Sequence, residues 1–201
     1  LLVEELIPPP DPEAAFTRFA EREHCVFFDS ARRDPRLGRY SFLAAEPFEF
    51  LRYDVGDADA LGRLEQSLAR FTAETNRELP PFQGGAAGLL SYDLGRQFEK
   101  IPAPRLDEFQ TPVLAVGLYD VVLAWDHVAN RAWLVSQGFP ELDDAKRRER
   151  AAARLQHFRE LLTTKSHLSV TSGSAGVRQL ERGALAPQFP IAGWPGLTSN
   201  F

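Results

Sequence analysis

From Val113 to Asp126 the chain is apolar and rich in β-branched residues, and beyond Asn130 a second apolar run, Ala132-Trp133-Leu134-Val135, follows. β-Branched and aromatic side chains suit a pleated, half-buried surface, and Asn suits a turn. The pair therefore predicts a β-hairpin with 126–130 as its connection. A long helix is expected next, from about Leu142 to Leu162, because Ala151, Leu155, Phe158 and Leu162 recur on one helical stripe. Asp143-Asp144 falls in its first turn, where negative charge offsets the helix dipole.

Upstream, Asp11-Pro12-Glu13 is a helix start, an acceptor side chain followed by proline at the first helical position. The helix should run to about Glu21 and bury Ala15, Phe16, Phe19 and Ala20. Cys25-Val26-Phe27-Phe28 reads as a buried strand that ends in a turn at Asp29-Ser30, and Arg39 to Glu46 as a strand with Tyr40, Phe42 and Ala44 on one face. Phe48 to Tyr53 forms another strand with Phe48 and Phe50 on one side. Leu61, Leu64, Leu68 and Phe71 predict a helix starting near Asp57 or Asp59. The run Gly84-Gly85-Ala86-Ala87-Gly88-Leu89-Leu90 predicts a strand whose glycines mark a bulge or the close approach of another backbone. Its spacing matches neither a phosphate loop nor a dinucleotide turn. Strands and hairpins interspersed with a few helices give an α+β class with mainly antiparallel sheet. From Thr163 the composition turns to Ser, Thr and Gly, and then to Pro187, Pro190 and Pro195. The expected division is a domain over 1–164 and a linker with an extended strap over 165–201.

Hydrophobic residues make up 44% and charged residues 25% of the 201, an ordinary balance for a soluble globular chain. The net charge of −5 argues against nucleic acid, and no apolar run is long enough to cross a membrane. The single Cys25 cannot form an internal disulfide, which fits a cytoplasmic protein. With no Met and a first residue Leu1, the chain is expected to be a piece of a longer polypeptide whose other part holds an active site.

Catalytic patterns are sparse. His24, His127, His157 and His167 stand far apart, and Cys25 beside His24 cannot point to the same face of a strand, so no metal site is expected. Ser174 fails the nucleophile-elbow pattern because Ser172 stands where its first glycine should be. Two acidic groups close apolar strands: Asp29 with Ser30, and Asp93. An anion and a hydroxyl at a strand end can hold the ammonium of an amino-acid ligand. An ordinary turn leading into Ala31-Arg32 is the simpler explanation of Asp29-Ser30, since Asp and Ser are common turn residues.

Taken together, Phe27-Phe28-Asp29-Ser30-Ala31, Gly38-Arg39-Tyr40-Ser41-Phe42, Gly84 to Asp93 and Phe98-Glu99-Lys100-Ile101-Pro102 resemble the N-terminal region of the large subunit shared by anthranilate synthase and aminodeoxychorismate synthase. The order is kept from about residue 10 onward. Asp93-Leu94-Gly95-Arg96, Leu118-Tyr119-Asp120 and Trp125-Asp126-His127 are more similar to the para-aminobenzoate branch. The resemblance implies an α/β/β/α arrangement of two packed sheets. It implies chorismate and Mg²⁺ bound by a C-terminal domain outside these residues, with no catalytic residue here, and a glutamine amidotransferase subunit as partner. It also implies a tryptophan site: Phe27-Phe28-Asp29-Ser30 stands where the family has Leu-Leu-Glu-Ser. Asp29 would pair with the ligand ammonium and Ser30 would hydrogen-bond it, with Arg39 and Tyr40 nearby. Asp in place of Glu shortens the reach by one methylene.

Overall fold

The computed structural model describes residues 1–30, 32–73, 75–100, 109–164, 189–190 and 198–199. The chain divides into two units, Leu1–Lys165 and Ser166–Phe201. In the second unit, the strands Phe189–Pro190 and Thr198–Ser199 pair antiparallel. The predicted Ser/Gly linker and most of the strap lie outside the described residues.

The first unit contains β1 (Leu2–Leu6), α1 (Pro12–Phe19), β2 (Val26–Phe28), β3 (Tyr40–Ala44), β4 (Glu49–Tyr53) and α2 (Ala60–Ala69). These are followed by β5 (Gly85–Leu90), a 3-10 turn over Tyr92–Gln97, β6 (Leu114–Tyr119), β7 (Val121–Asp126), β8 (Arg131–Ser136) and α3 (Asp144–Thr163). Two antiparallel sheets result, one ordered β1-β8-β7-β3-β2 and the other β4-β6-β5.

Side-chain alternation assigns the layers. Leu43 of β3, Val121, Leu123 and Trp125 of β7, and Leu134 of β8 face a core shared with Ala15 and Phe19 of α1 and with Leu155, Phe158 and Leu162 of α3. The next residues along, Ala44, Val122 and Ala124, turn to the opposite face and meet Tyr119 and Ala87 of the smaller sheet. Leu114 and Val116 of β6 face outward again, onto Ala60, Leu61 and Leu64 of α2. Helices, sheet, sheet and helix therefore stack in four layers, the predicted α/β/β/α sandwich. Each fully buried Leu or Val contributes roughly 1.5–3 kcal/mol.

Helix starts follow their sequence signals. The side chains of Asp11, Asp59 and Asp143 each accept a backbone N–H from the first turn of the helix that follows. The α3 stripe is buried as predicted.

Several expectations need correction. The run Val113 to Asp126 is not one strand. It breaks at Asp120, and β6 and β7 belong to different sheets, so only Val121–Asp126 pairs with β8 in the hairpin. β2 is an edge strand rather than a buried one, and Phe28 is 46% exposed. Ala20 is exposed because α1 ends at Phe19. Phe48 and Phe50 part company: Phe48 packs on Phe71 and Phe139, whereas Phe50 stacks on His24. β5 is also an edge, with Leu89 and Leu90 exposed. Its Gly88 is required by contact, since a Cβ there would lie 2.1 Å from the Ala115 carbonyl oxygen. β1, which pairs with β8, was not foreseen.

Candidate functional site

Asp29 follows the last residue of β2 and lies opposite Ser41, one step beyond the Phe28–Phe42 pair. Alternation puts Asp29 on the face of Phe27, which stacks on Phe16 of α1 with ring centroids 4.9 Å apart. Phe28 points to the other face. The Asp29 backbone is exposed, but its side chain keeps only 20% of its surface. Its Oδ1 accepts from Arg33 Nη1 at 2.8 Å and from the hydroxyl of the fully buried Ser41. Ser41 Oγ also lies 2.6 Å from His127 Nε2 and 3.3 Å from Arg33 Nη1.

Proton counting fixes the roles. The single hydroxyl proton of Ser41 goes to Asp29, so Ser41 accepts from Arg33 and from His127, whose Nε2 must carry a hydrogen. A nucleophilic serine needs the reverse, an imidazole that takes its proton. This cluster therefore does not activate Ser41. Partial burial acts to raise the Asp29 carboxyl, but the hydrogen bonds from Arg33 and Ser41 and the charges of Arg33 and His127 outweigh it. The carboxyl is held below its ordinary range. Burial and the Arg33 guanidinium push His127 below its ordinary value, with Asp29 and Asp126 acting against them.

The other sequence-predicted ligand residues, Ser30, Arg39 and Tyr40, each make contacts of their own. Ser30 Oγ donates to the Arg32 carbonyl at 3.0 Å, a local turn contact. Arg39 is committed to Asp126 through a two-pronged contact, Nη2 to Oδ2 at 2.6 Å and Nε to Oδ2 at 3.1 Å. Its guanidinium also lies over the Tyr40 ring, 4.9 Å from the centroid. Backbone connects the two groups, since His127 N–H donates to the Arg39 carbonyl at 2.9 Å. Asp93, the other strand-closing acid, pairs with Arg96 at 2.6 Å in the 3-10 turn.

A second polar centre was missed. Asp120, fully buried where the chain crosses between sheets, accepts from Arg154 Nε at 3.3 Å and lies 3.8 Å from Arg150 Nε. Arg154 also binds Glu46 Oε2 at 3.0 Å and the Glu46 carbonyl at 2.9 Å, and His157 Nε2 lies 2.9 Å from Glu46 Oε2. Burial pushes the Asp120 carboxyl up despite Arg154 and Arg150. The signal for it was a lone acid inside an apolar run. Among the described residues no group of three or more His, Cys, Asp or Glu side chains converges as a metal site. Also among them, no helix is long and apolar enough to cross a membrane.

The chain with these motifs is similar to component I of both aminodeoxychorismate synthase and anthranilate synthase. It is 33% identical over 159 residues to aminodeoxychorismate synthase component 1 of Escherichia coli K12, covering 66% of this chain and 35% of that protein. It is 31% identical over 134 residues to anthranilate synthase component 1 of Saccharomyces cerevisiae, covering 62% of this chain and 26% of that protein. A crystal structure of anthranilate synthase component I from Streptococcus pneumoniae aligns with a TM-score of 0.49 and 23% identity, over 75% of this chain and 35% of that one. No family model matches the chain. The chain thus spans only between a quarter and about a third of the length of these relatives.

Proposed function

We propose that this chain is the N-terminal, non-catalytic region of an aminodeoxychorismate synthase component I. In this reading the whole protein is a cytoplasmic enzyme that replaces the 4-hydroxyl of chorismate with an amino group on the way to folate. Ammonia comes from a glutamine amidotransferase subunit, and chorismate and Mg²⁺ are held by a C-terminal domain. The observation that carries the reading is the 33% identity to the Escherichia coli aminodeoxychorismate synthase over 159 residues, which amount to 35% of that enzyme. Two features support a non-catalytic role. The best-sheltered carboxylates, Asp29, Glu46, Asp120 and Asp126, are all engaged by arginines. The edge strands β2 and β5 line one cleft and carry the exposed Phe28, Leu89 and Leu90, an apolar margin suited to burial against further polypeptide.

Product identification with the full-length polypeptide, chorismate, Mg²⁺ and ammonia is the test. 4-Amino-4-deoxychorismate is expected. Anthranilate as the main product would instead favour the second reading, for which the 31% identity to the yeast anthranilate synthase speaks. Turnover by the 201-residue chain alone would overturn the non-catalytic assignment.

The same reading places a tryptophan site at Asp29, Ser30, Arg39 and Tyr40. The ionised Asp29 supports an ammonium contact, although the ligand would share that carboxylate with Arg33. Calorimetry on the full-length protein should show tryptophan binding that weakens in Asp29→Asn and in Ser30→Ala. Binding left unchanged by both substitutions would remove these residues from the site, and a stand-alone amino-acid-sensing role would lose its anchors with them.

A further inference from the structure

Arg33 reaches the Asp29 cluster from the connection between β2 and β3. Its Nη1 donates to Asp29 Oδ1 at 2.8 Å and has the Ser41 hydroxyl and the Ser30 carbonyl each 3.3 Å away. The rest of that connection holds itself together. Asp34 Oδ1 accepts the N–H groups of Arg36 at 2.9 Å and Leu37 at 3.1 Å, and the Asp34 carbonyl accepts the Gly38 N–H at 3.0 Å. Gly38 lies so close to the preceding backbone that a Cβ there would stand 1.9 Å from the Arg32 carbonyl oxygen. Withdrawing the Arg33 side chain from Asp29 therefore leaves the internal hydrogen bonds of residues 34–38 in place.

The contact it would give up is a weak one. The Arg33 side chain is 44% exposed and that of Asp29 20%, so water screens the pair. Both Arg33 and Ser41 donate to Oδ1 of Asp29, and Oδ2 accepts from no described residue. Of the two donors only the guanidinium brings charge. His127, on the other side of Ser41, is held below its ordinary value and is neutral at neutral pH, and Arg39 is taken up by Asp126. Arg33 is thus the cation that a positively charged ligand meets at Asp29.

We propose that Arg33 is a built-in competitor for the ammonium of the amino-acid ligand, an inference that rests on the reading of Asp29 as the ammonium anchor of a tryptophan site. One carboxylate carries one negative charge. An incoming ammonium either displaces the guanidinium from Oδ1 or settles on Oδ2 against its like charge, and both routes lower affinity. The competitor sets how much ligand is needed to fill the site. A partly exposed ion pair limits the effect to about fivefold.

Calorimetry on the full-length protein at neutral pH tests this with three probes: tryptophan, tryptamine, which keeps the ammonium and lacks the carboxylate, and indole-3-propionate, which keeps the carboxylate and lacks the ammonium. Arg33→Gln should bind tryptophan and tryptamine roughly threefold to fivefold more tightly than wild type and should not tighten indole-3-propionate. Arg33→Lys retains the charge and should stay within about twofold of wild type. Binding of the ammonium probes by Arg33→Gln but not by wild type would support the competition most strongly. Tryptamine bound by wild type and no more tightly by Arg33→Gln would overturn it, as would equal tightening in the Lys and Gln variants. Tryptophan weakened by Arg33→Gln would also overturn it and make Arg33 a partner of the ligand carboxylate. Failure of both ammonium probes to bind either wild type or Arg33→Gln would remove the tryptophan site itself, and the competitor with it.

Discussion

Asp120 and Asp29 are both held by arginine, and each cluster includes a histidine within hydrogen-bonding distance of one of its members. They differ in their access to water. Asp120 is sealed at the crossover between the sheets, where burial outweighs two guanidinium groups and raises its carboxyl. Asp29 keeps contact with solvent at a strand end, where Arg33, Ser41 and His127 overcome a smaller burial penalty and lower its carboxyl. The same residue types thus produce opposite electrostatic outcomes. The first centre is a cross-brace that joins the sheet corner to α3 and to Glu46. The second remains able to exchange a partner.

The comparison can be broken most forcefully at Arg154. Arg154→Ala removes the closest partner of Asp120 and both contacts to Glu46, leaving a buried acid poorly compensated. A loss of about 3–5 kcal/mol in urea unfolding is expected, as for breaking a buried ion pair. A loss under about 1 kcal/mol, the level of a surface pair, would show that the brace does not exist.

Paired amide substitutions sharpen the contrast through pH. An acid whose pKa is raised by folding contributes stability that is present below its unfolded value and lost as pH rises toward its folded value. Asp120 is such a group, so the cost of Asp120→Asn should shrink as pH climbs above 3.8. An acid whose pKa is lowered contributes stability that is present above its unfolded value and lost as pH falls through its folded one. The cost of Asp29→Asn should therefore be steady above 3.8 and shrink below it. At neutral pH each should cost about 1–2 kcal/mol, the scale of one charge-assisted hydrogen bond. Parallel pH profiles in urea unfolding would erase the distinction between the two centres.

Much of the frame of these clusters could be read in the sequence, but the clusters themselves could not. The α3 stripe and the β7–β8 hairpin depend on local periodicity and a turn residue, so neighbours in sequence carry the signal. The crossover at Asp120 was hidden because both halves of Val113 to Asp126 are covered on both faces, which removes the alternation that would mark a change of sheet. β2 looked buried because composition cannot tell an edge from a centre. Asp29 stands out in the sequence as a strand-closing acid. Its link to His127, 86 residues beyond Ser41, exists only once β7 lies beside β3. Arg39 and Asp126 illustrate the same limit, being 87 residues apart in sequence.

The most delicate probe of the open cluster is the His127 imidazole. Arg33 and burial hold it below its ordinary value, and Asp29 pulls the other way. Arg33→Gln removes a cation that opposes the imidazolium, so the His127 titration followed by NMR should move upward. Asp29→Asn removes an anion that favours the imidazolium, so the same titration should move downward. Shifts of the same sign at His127 in both variants would mean that His127 responds to a general loosening of the strand end. Opposite shifts would show that Asp29, Ser41, Arg33 and His127 form one electrically coupled unit.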